Sequence, residues 1–115
     1  ETADILGWNP EQALTSVVIA PVFAGIAANL TVEFDHAVNV EDVRQLLDEA
    51  PGVRLGDPVP GPRRVAGDSA IYVGRIRVDT DPHRLHMWVT ADNLRVGATA
   101  NALAIAVALW SEGYL

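Results

Sequence analysis

Two strand-like segments joined by a short turn constrain the fold of this chain more than any other feature. Residues 70–78 and 85–90 read as strands, and the second segment alternates apolar with polar positions. Between them, residues 79–83 contain an Asp-Pro pair, which is typical of a turn. A connection this short joins antiparallel strands, so we predict that the two segments pair in that way.

A third strand and a helix precede this pair. Residues 29–34 alternate polar and apolar positions, which is typical of a half-buried strand. Asn39 is a predicted N-cap, and the acidic residues that follow it favour the start of a helix. The Pro-Gly pair at residues 51–52 ends this helix. Its apolar stripe consists of Val40, Val43, Leu46 and Leu47.

The remaining helices and a short strand lie at the two ends and in the middle of the chain. Residues 1–6 are predicted to be the end of a helix that stops at Gly7. Residues 53–55 are predicted to form a short strand. The last helix is expected to be capped by Asp92 or Asn93 and to run to about residue 112.

The order of these elements predicts an α+β fold within one domain, residues 1–115. We expect a mixed, mostly antiparallel sheet with helices packed on one face.

Residues 14–24 are apolar and rich in Val and Ile, which predicts a buried strand, although Pro21 implies an edge or a bulge. Residues 56–67 are rich in Pro and Gly and are predicted to form a surface loop.

The composition narrows the range of partners and chemistries. The net charge is −7, and an acidic surface repels phosphate backbones and anionic lipids. The longest apolar run, residues 102–110, is too short to span a bilayer. We therefore expect neither nucleic acid nor a membrane as a partner. The chain contains neither Cys nor Lys, so it cannot itself supply a thiolate nucleophile or a Schiff base.

Five stretches of sequence together carry a resemblance to a known family. The chain resembles the C-terminal dimerisation domain of the aspartate-semialdehyde dehydrogenases, with the stretches in the family's order and at its spacing. Residues 46–53 also fit. The five stretches are Glu-Thr-x-x-Ile-Leu-Gly at residues 1–7, Pro-Val-Phe-x-Gly at 21–25, Val-Glu-Phe at 32–34, Val-Gly-Arg-Ile-Arg at 73–77 and Asp-Asn-Leu-Arg-x-Gly-Ala-x-x-Asn at 92–101.

This resemblance implies one part of a two-part enzyme of amino-acid biosynthesis. In the family, an N-terminal Rossmann domain binds NADP and carries a catalytic Cys, while the second, GAPDH-like domain forms the dimer and supplies an Arg and a His. The Cys attacks the aldehyde carbon, the His transfers protons and the Arg holds the substrate carboxylate. The resemblance therefore implies a homodimer or a dehydrogenase-like subunit as partner, and a cytoplasmic location.

Two positions depart from the family pattern. The family's Arg precedes the Pro-Val pair by two positions, where this chain has Ile19, and its His follows Gly25, where this chain has Ile26. Isoleucine can neither transfer a proton nor pair with a carboxylate. We therefore predict that this chain contributes no catalytic residue and belongs to a degenerate protein, similar to the Usg-type relatives of these dehydrogenases.

The start of the last helix holds the predicted cofactor-binding residues, Asn93, Gly97 and Ala98. The resemblance implies that this segment returns to the Rossmann domain near the nicotinamide end of the cofactor. We therefore expect these residues to contact NADP only in a longer protein, and we expect no cofactor for the isolated chain. The alternative is a capped helix whose small residues permit close packing, and the Ala-rich residues 98–109 are expected to pack against their own sheet or a missing domain.

Other polar residues are interpreted as structural. His83 and His86 are three apart in a strand and should point to opposite faces, so we expect no metal site. Arg75 and Arg77 should share one strand face and pair with carboxylates across the sheet. Glu33 belongs to a polar strand face, with a role at the subunit interface as the alternative.

Three functions follow from these observations. The first is a dimerisation domain that has lost catalysis. The second is a domain of an NADP-dependent semialdehyde oxidoreductase with a more apolar acyl substrate, for which Ile19 and Ile26 would line the pocket. The third is a stand-alone protein that regulates a dehydrogenase by forming mixed dimers.

Overall fold

A computed structural model describes residues 4–5, 7, 9–12, 15–56, 58–97 and 99–114. Most of the helix predicted over residues 1–6 lies outside this part of the chain. In chain order the elements are a 3-10 turn (Pro10–Gln12), β1 (Ile26–Glu33), α1 (Val40–Glu49), β2 (Val53–Leu55), α2 (Pro62–Val65), β3 (Ile71–Val78), β4 (Arg84–Ala91), a π-helical stretch (Asn93–Gly97) and α3 (Thr99–Ser111).

The four strands form one mixed sheet in the order β1-β4-β3-β2. The pairs β1–β4 and β3–β4 are antiparallel and β2–β3 is parallel. The turn between β3 and β4 is closed by hydrogen bonds from Asp79 N to Arg84 O and from Arg84 N to Asp81 O. The predicted α+β class, the mostly antiparallel sheet and the β3–β4 pairing are confirmed.

Helix α1 covers one face of the sheet, which we call the front face. The Asn39 side chain caps it by accepting a hydrogen bond from Glu41 N at 3.0 Å, as predicted. Its apolar stripe packs on the core formed by Val73, Ile76 and Leu85. Leu46 was expected in that stripe but is 69% exposed, because the stripe follows the other three positions, Val40, Val43 and Leu47.

A β-bulge in β3 decides which side chains reach the core. Gly74 lies opposite Trp88 and Arg77 opposite His86, so β3 has one more residue than β4 over this stretch. Arg75 provides the extra residue, with a left-handed backbone at φ 52°. The bulge shifts the alternation of β3, so that Ile76 points into the core.

A loop and the short helix α2 cover one end of the opposite, back face, which bears Thr31, His86 and Trp88. A side chain at Gly74 would collide with Gly56 O and Val59 Cγ2, so the loop lies directly on the strand there. Val65 is fully buried. The prediction of a plain surface loop over residues 56–67 is therefore wrong in part, because Val59 and Val65 give the loop an apolar side that packs on the sheet.

The strand predicted over residues 14–24 is not formed in the described part, residues 15–24. Val17, Val18 and Ile19 are 82%, 85% and 95% exposed. A strand exists only when another strand satisfies its backbone groups, and no described residue pairs with this segment. Residues 15–21 are therefore exposed and outside the sheet, and the first strand begins at Ile26.

Helix α3 packs on neither face of the sheet. Every described side chain from residue 100 to 114 is exposed, although the helix is strongly apolar. Of the two alternatives for this helix, packing on its own sheet is therefore excluded. By length and composition alone, Asn93–Ser111 is also long and apolar enough to cross a membrane, a property that core helices share.

Candidate functional site

The candidate site lies where β1 begins and β4 ends. Ile26 is directly opposite Ala91 in the sheet. One residue earlier, Gly25 N donates a hydrogen bond to Oδ1 of Asn93 at 2.9 Å. Gly25 has φ 108° and lies so close to Pro62 that an added Cβ would be 2.9 Å from it. Only glycine fits this junction, which brings the segment around Ile26 and the start of the last helix together.

Asp92 is the polar centre of this junction and is only 3% exposed. Its carboxylate accepts hydrogen bonds from Gly67 N at 2.6 Å and from Leu94 N at 2.8 Å. These hydrogen bonds, above all the one from Gly67, hold the pKa of the Asp92 carboxyl below its ordinary value, since they favour the charged form. Asp92 thus joins the loop after α2 to the last helix.

Of the two predicted caps, Asp92 caps the last helix. Arg95 N and Val96 N donate to Asp92 O at 3.0 and 2.9 Å, and the helix begins with the π-helical stretch. The Asp92 carboxylate therefore occupies the position at which a helix N-terminus would bind an external anion. Asn93 instead turns its side chain toward Gly25.

The predicted cofactor-binding residues lie on the exposed side of this stretch. The Asn93 amide oxygen is engaged by Gly25, while its amide nitrogen donates no hydrogen bond within the described residues. Gly97 is open, since an added Cβ would meet only Asn93 Cβ, at 3.9 Å. Ala98 lies outside the described residues. Asn93 and Gly97 are thus close together and accessible, and their contact with a cofactor stays a prediction.

Ile19 and Ile26 expose most of their hydrocarbon. Ile19 is 95% and Ile26 56% exposed, and Ile26 lies on the front face beside the part of the sheet that α1 leaves uncovered. Two shallow depressions, of about 330 and 480 Å³, are lined by neither residue.

The histidines lie toward the other end of the sheet. His86 Nδ1 is 2.9 Å from Thr31 Oγ1, and its Nε2 is 3.3 Å from Asp79 Oδ2. His83 Nδ1 is 3.0 Å from Asp81 Oδ1. Hydrogen bonds from the Thr80 and His83 backbones, together with the histidine rings, lower the pKa values of Asp79 and Asp81. Within the described residues, no group of three His, Asp or Glu side chains is arranged to hold a metal ion.

Arg75 and Arg77 lie on the same face of β3, as predicted, and this is the back face. They do not pair with carboxylates, which were their predicted partners. The Arg75 guanidinium lies over the Trp88 ring, 5.9 Å from its centroid, and Arg77 Nη1 contacts Arg75 O at 3.4 Å. Within the described part of the chain, neither is in ion-pair distance of a carboxylate. Glu33 pairs instead with Arg84, at 3.5 Å. The carboxylate pairing expected for these arginines is wrong, because the bulge places Arg75 over an aromatic ring.

The sequence did not predict the polar cluster that Arg54 on β2, Tyr72 on β3 and the nearby Asp68 form. Tyr72 OH donates to Asp68 Oδ2 at 2.6 Å, and Arg54 Nη1 contacts both, at 3.1 Å to Tyr72 and 3.3 Å to Asp68. The Tyr72 hydrogen bond is the main cause of the lowered pKa of Asp68. Arg54 and Tyr72 lie side by side because β2 and β3 pair in parallel. The sequence of the short β2 segment did not predict that pairing.

Comparison with known proteins gives a consistent picture. Residues 1–96 match the family model described as "Semialdehyde dehydrogenase, dimerisation domain". The chain is 35% identical over 92% of its length to aspartate-semialdehyde dehydrogenase of Rickettsia bellii and 37% identical over 95% to that of Bacillus subtilis. It spans 33% and 34% of those proteins. The structure of aspartate semialdehyde dehydrogenase II from Vibrio cholerae, complexed with ASA, superimposes with a TM-score of 0.72 at 36% identity, covering 79% of this chain and 28% of that one.

Proposed function

This chain belongs to the semialdehyde dehydrogenase dimerisation-domain family, and from that membership we propose that it joins two copies of an aspartate-semialdehyde dehydrogenase-like protein without taking part in catalysis. Homodimer formation, the loss of catalysis and a role in amino-acid biosynthesis are all parts of this proposal. The cytoplasmic location, and the absence of nucleic acid and membrane partners, stay predictions from the sequence.

The observation that carries the loss of catalysis is the chemistry at the junction around Ile26. Two hydrocarbon side chains occupy the positions at which the family resemblance calls for an acid–base His and a carboxylate-binding Arg. The nearest histidine along the sheet, His86, lies opposite Thr31, five residues along β1 from Ile26. At about 3.3 Å per residue this separation is roughly 16 Å, too far for any direct proton transfer to the same substrate atom. No described His therefore replaces the lost one.

We propose a cofactor, NADP, only for a longer protein that contains this chain. NADP would supply the hydride acceptor there, and this chain would offer the Asn93 amide nitrogen and the open side of Gly97. The Asp92 carboxylate already occupies the helix N-terminus, so we expect the nicotinamide end, which carries no negative charge, and not a phosphate, to approach this stretch.

A more apolar acyl substrate is the alternative, and the structure gives it less support. A substrate pocket encloses most of its ligand. Ile19 is almost fully exposed here and lines neither of the two depressions described above.

The proposal is tested on the full-length protein with two measurements. Sedimentation velocity should show a dimer, and NADP-dependent oxidation of aspartate semialdehyde should be undetectable. A monomer would contradict the first part. Turnover that disappears in a variant altered at Asn93 or Ile26 would contradict the second. Co-purification of a distinct dehydrogenase subunit, in place of a homodimer, would favour regulation by mixed dimers.

A further inference from the structure

A depression between the loop over residues 56–67 and the β2 edge of the sheet has a chemistry that the proposed dimerisation does not use. It has a volume of about 330 Å³ and is lined by Leu55, Gly56, Pro58, Pro60, Arg64 and Tyr72. We propose that it binds a small organic acid, with the carboxylate held by Arg64 and the hydrocarbon body against the leucine, the prolines and the tyrosine ring. This proposal goes beyond dimerisation and does not depend on it.

Arg64 supplies the positive charge of the depression. The chain has a net charge of −7, yet Arg64 forms no ion pair within the described residues. A planar guanidinium binds a carboxylate through two parallel hydrogen bonds, which fix the acid in orientation as well as in place. Arg63 precedes it on α2 and does not line the depression. Arg64 is therefore the cation that a bound acid would meet.

The polar groups beside Arg64 already have partners within the chain. The Tyr72 hydroxyl donates to Asp68 Oδ2 at 2.6 Å and lies 3.1 Å from Arg54 Nη1, so it is its ring that Tyr72 offers to a ligand. The other oxygen of Asp68, Oδ1, accepts from Ala70 N at 3.0 Å. With both its oxygens engaged, Asp68 is a poor partner for a ligand ammonium group, and its charge disfavours a dianion such as phosphate. The depression therefore suits a monocarboxylate without an amino group.

The loop that forms one wall of the depression is fixed at both ends. At its start, Gly56 N donates to Val73 O of β3 at 3.0 Å. At its end, Gly67 N donates to Asp92 Oδ2 at 2.6 Å. A wall that is already ordered loses little conformational freedom when a ligand binds, so less of the interaction free energy is spent on ordering it. The volume also lies at the lower end of the range of about 300–1,000 Å³ that is usual for ligand pockets.

The test measures binding to the full-length protein by saturation-transfer NMR, with hydrocinnamate as the probe. Hydrocinnamate should bind saturably with a Kd of about 1 mM, as expected for one charged contact in an open depression. Arg64→Gln should raise this Kd by at least about tenfold, because it removes the charge-assisted hydrogen bonds. Arg63→Gln is the matched control, since it removes the same charge from the same short helix, and it should leave the Kd unchanged.

Three related compounds test the chemistry of the ligand. Hydrocinnamyl alcohol, which lacks the carboxylate, and phenylalanine, which adds an ammonium group, should both bind more weakly than hydrocinnamate. Inorganic phosphate should not displace it. The proposal would be overturned if hydrocinnamate did not bind saturably, if both arginine variants weakened binding equally, or if phenylalanine or phosphate bound more tightly. The dimer is measured separately by sedimentation, so these results leave the proposed function unaffected.

Discussion

The backbone nitrogen of Gly25 and the side-chain oxygen of Asn93 are 2.9 Å apart, although 68 positions separate them along the chain. This hydrogen bond links the segment that holds Ile26 to the stretch that holds the predicted cofactor-binding residues. The two parts of the candidate site are therefore positioned by one contact as well as by the sheet.

Replacing Asn93 with Leu should loosen this junction. The variant leaves Gly25 N without its acceptor, and we expect the free energy of unfolding to fall by about 0.5–1.5 kcal/mol. Amide hydrogen exchange at residues 24–26 of the full-length protein should become faster. Asn93→Asp retains an acceptor oxygen and serves as the control. Equal exchange in the wild type and the Leu variant would show that the sheet alone holds the junction.

Asp92 should make the stability of the domain depend on pH. Its pKa is lower in the folded chain than the ordinary value of 3.8, so its carboxylate stabilises the fold above that value. This contribution disappears as the pH falls through the folded pKa. Urea unfolding should therefore show Asp92→Asn to be less stable than the wild type at pH 7, with the gap closing in acid. A gap independent of pH would contradict the assignment.

Gly74 should not tolerate a methyl group. Alanine there would place its Cβ against Gly56 O and Val59 Cγ2, and the overlap should cost about 1–3 kcal/mol of stability. Gly61→Ala is the control, because nothing lies within 4 Å of its added Cβ and its φ of −73° suits any residue. Thermal unfolding of both variants compares the two costs. Equal costs would mean that the loop over residues 56–59 is free to move aside.

Tyr72→Phe should raise the pKa of Asp68 toward its ordinary value. The Tyr72 hydroxyl hydrogen bond is the largest cause that lowers this pKa, and phenylalanine removes it while keeping the ring beneath Arg54. An NMR titration of the Asp68 carboxyl carbon measures the change directly. The matched comparison is Asp79, whose pKa should not move in the same variant.

The fold of this chain should tolerate the Arg and the His that the family has at the positions of Ile19 and Ile26. Ile19 and Ile26 are exposed enough that Ile19→Arg and Ile26→His should each change the free energy of unfolding by less than about 0.5–1 kcal/mol. Differential scanning calorimetry of the full-length variants tests this. A large loss of stability would mean that packing explains the two isoleucines.

Local chemistry made much of the fold predictable. The Asn39 cap and the short turn after β3 act through neighbouring residues, and both formed as expected. The alternation in β1 and β4 likewise predicted two strands, and these strands pair with each other in the sheet.

The errors arose where a segment depends on distant partners. Residues 15–20 have the composition of a strand, but nothing in their own sequence supplies a strand to pair with. Plain alternation would place Val73, Arg75 and Arg77 on one face of β3, whereas the bulge at Arg75 leaves a three-residue spacing between two core positions, Val73 and Ile76. At the candidate site, Asn93 and Gly97 were found through the resemblance, whereas residues 25, 67 and 92 meet only in the folded chain.

Because of the bulge, β3 can lose one residue at only one place without turning its side chains to the wrong face. A strand without Arg75 would still alternate correctly, with Val73 and Ile76 toward the core and Gly74 and Arg77 on the back face. Loss of a residue away from the bulge would instead turn part of the strand over and bring polar side chains into the core. In related sequences, a one-residue gap within β3 should therefore fall at the bulge, and longer insertions should collect in the exposed connections, where no side chain changes face.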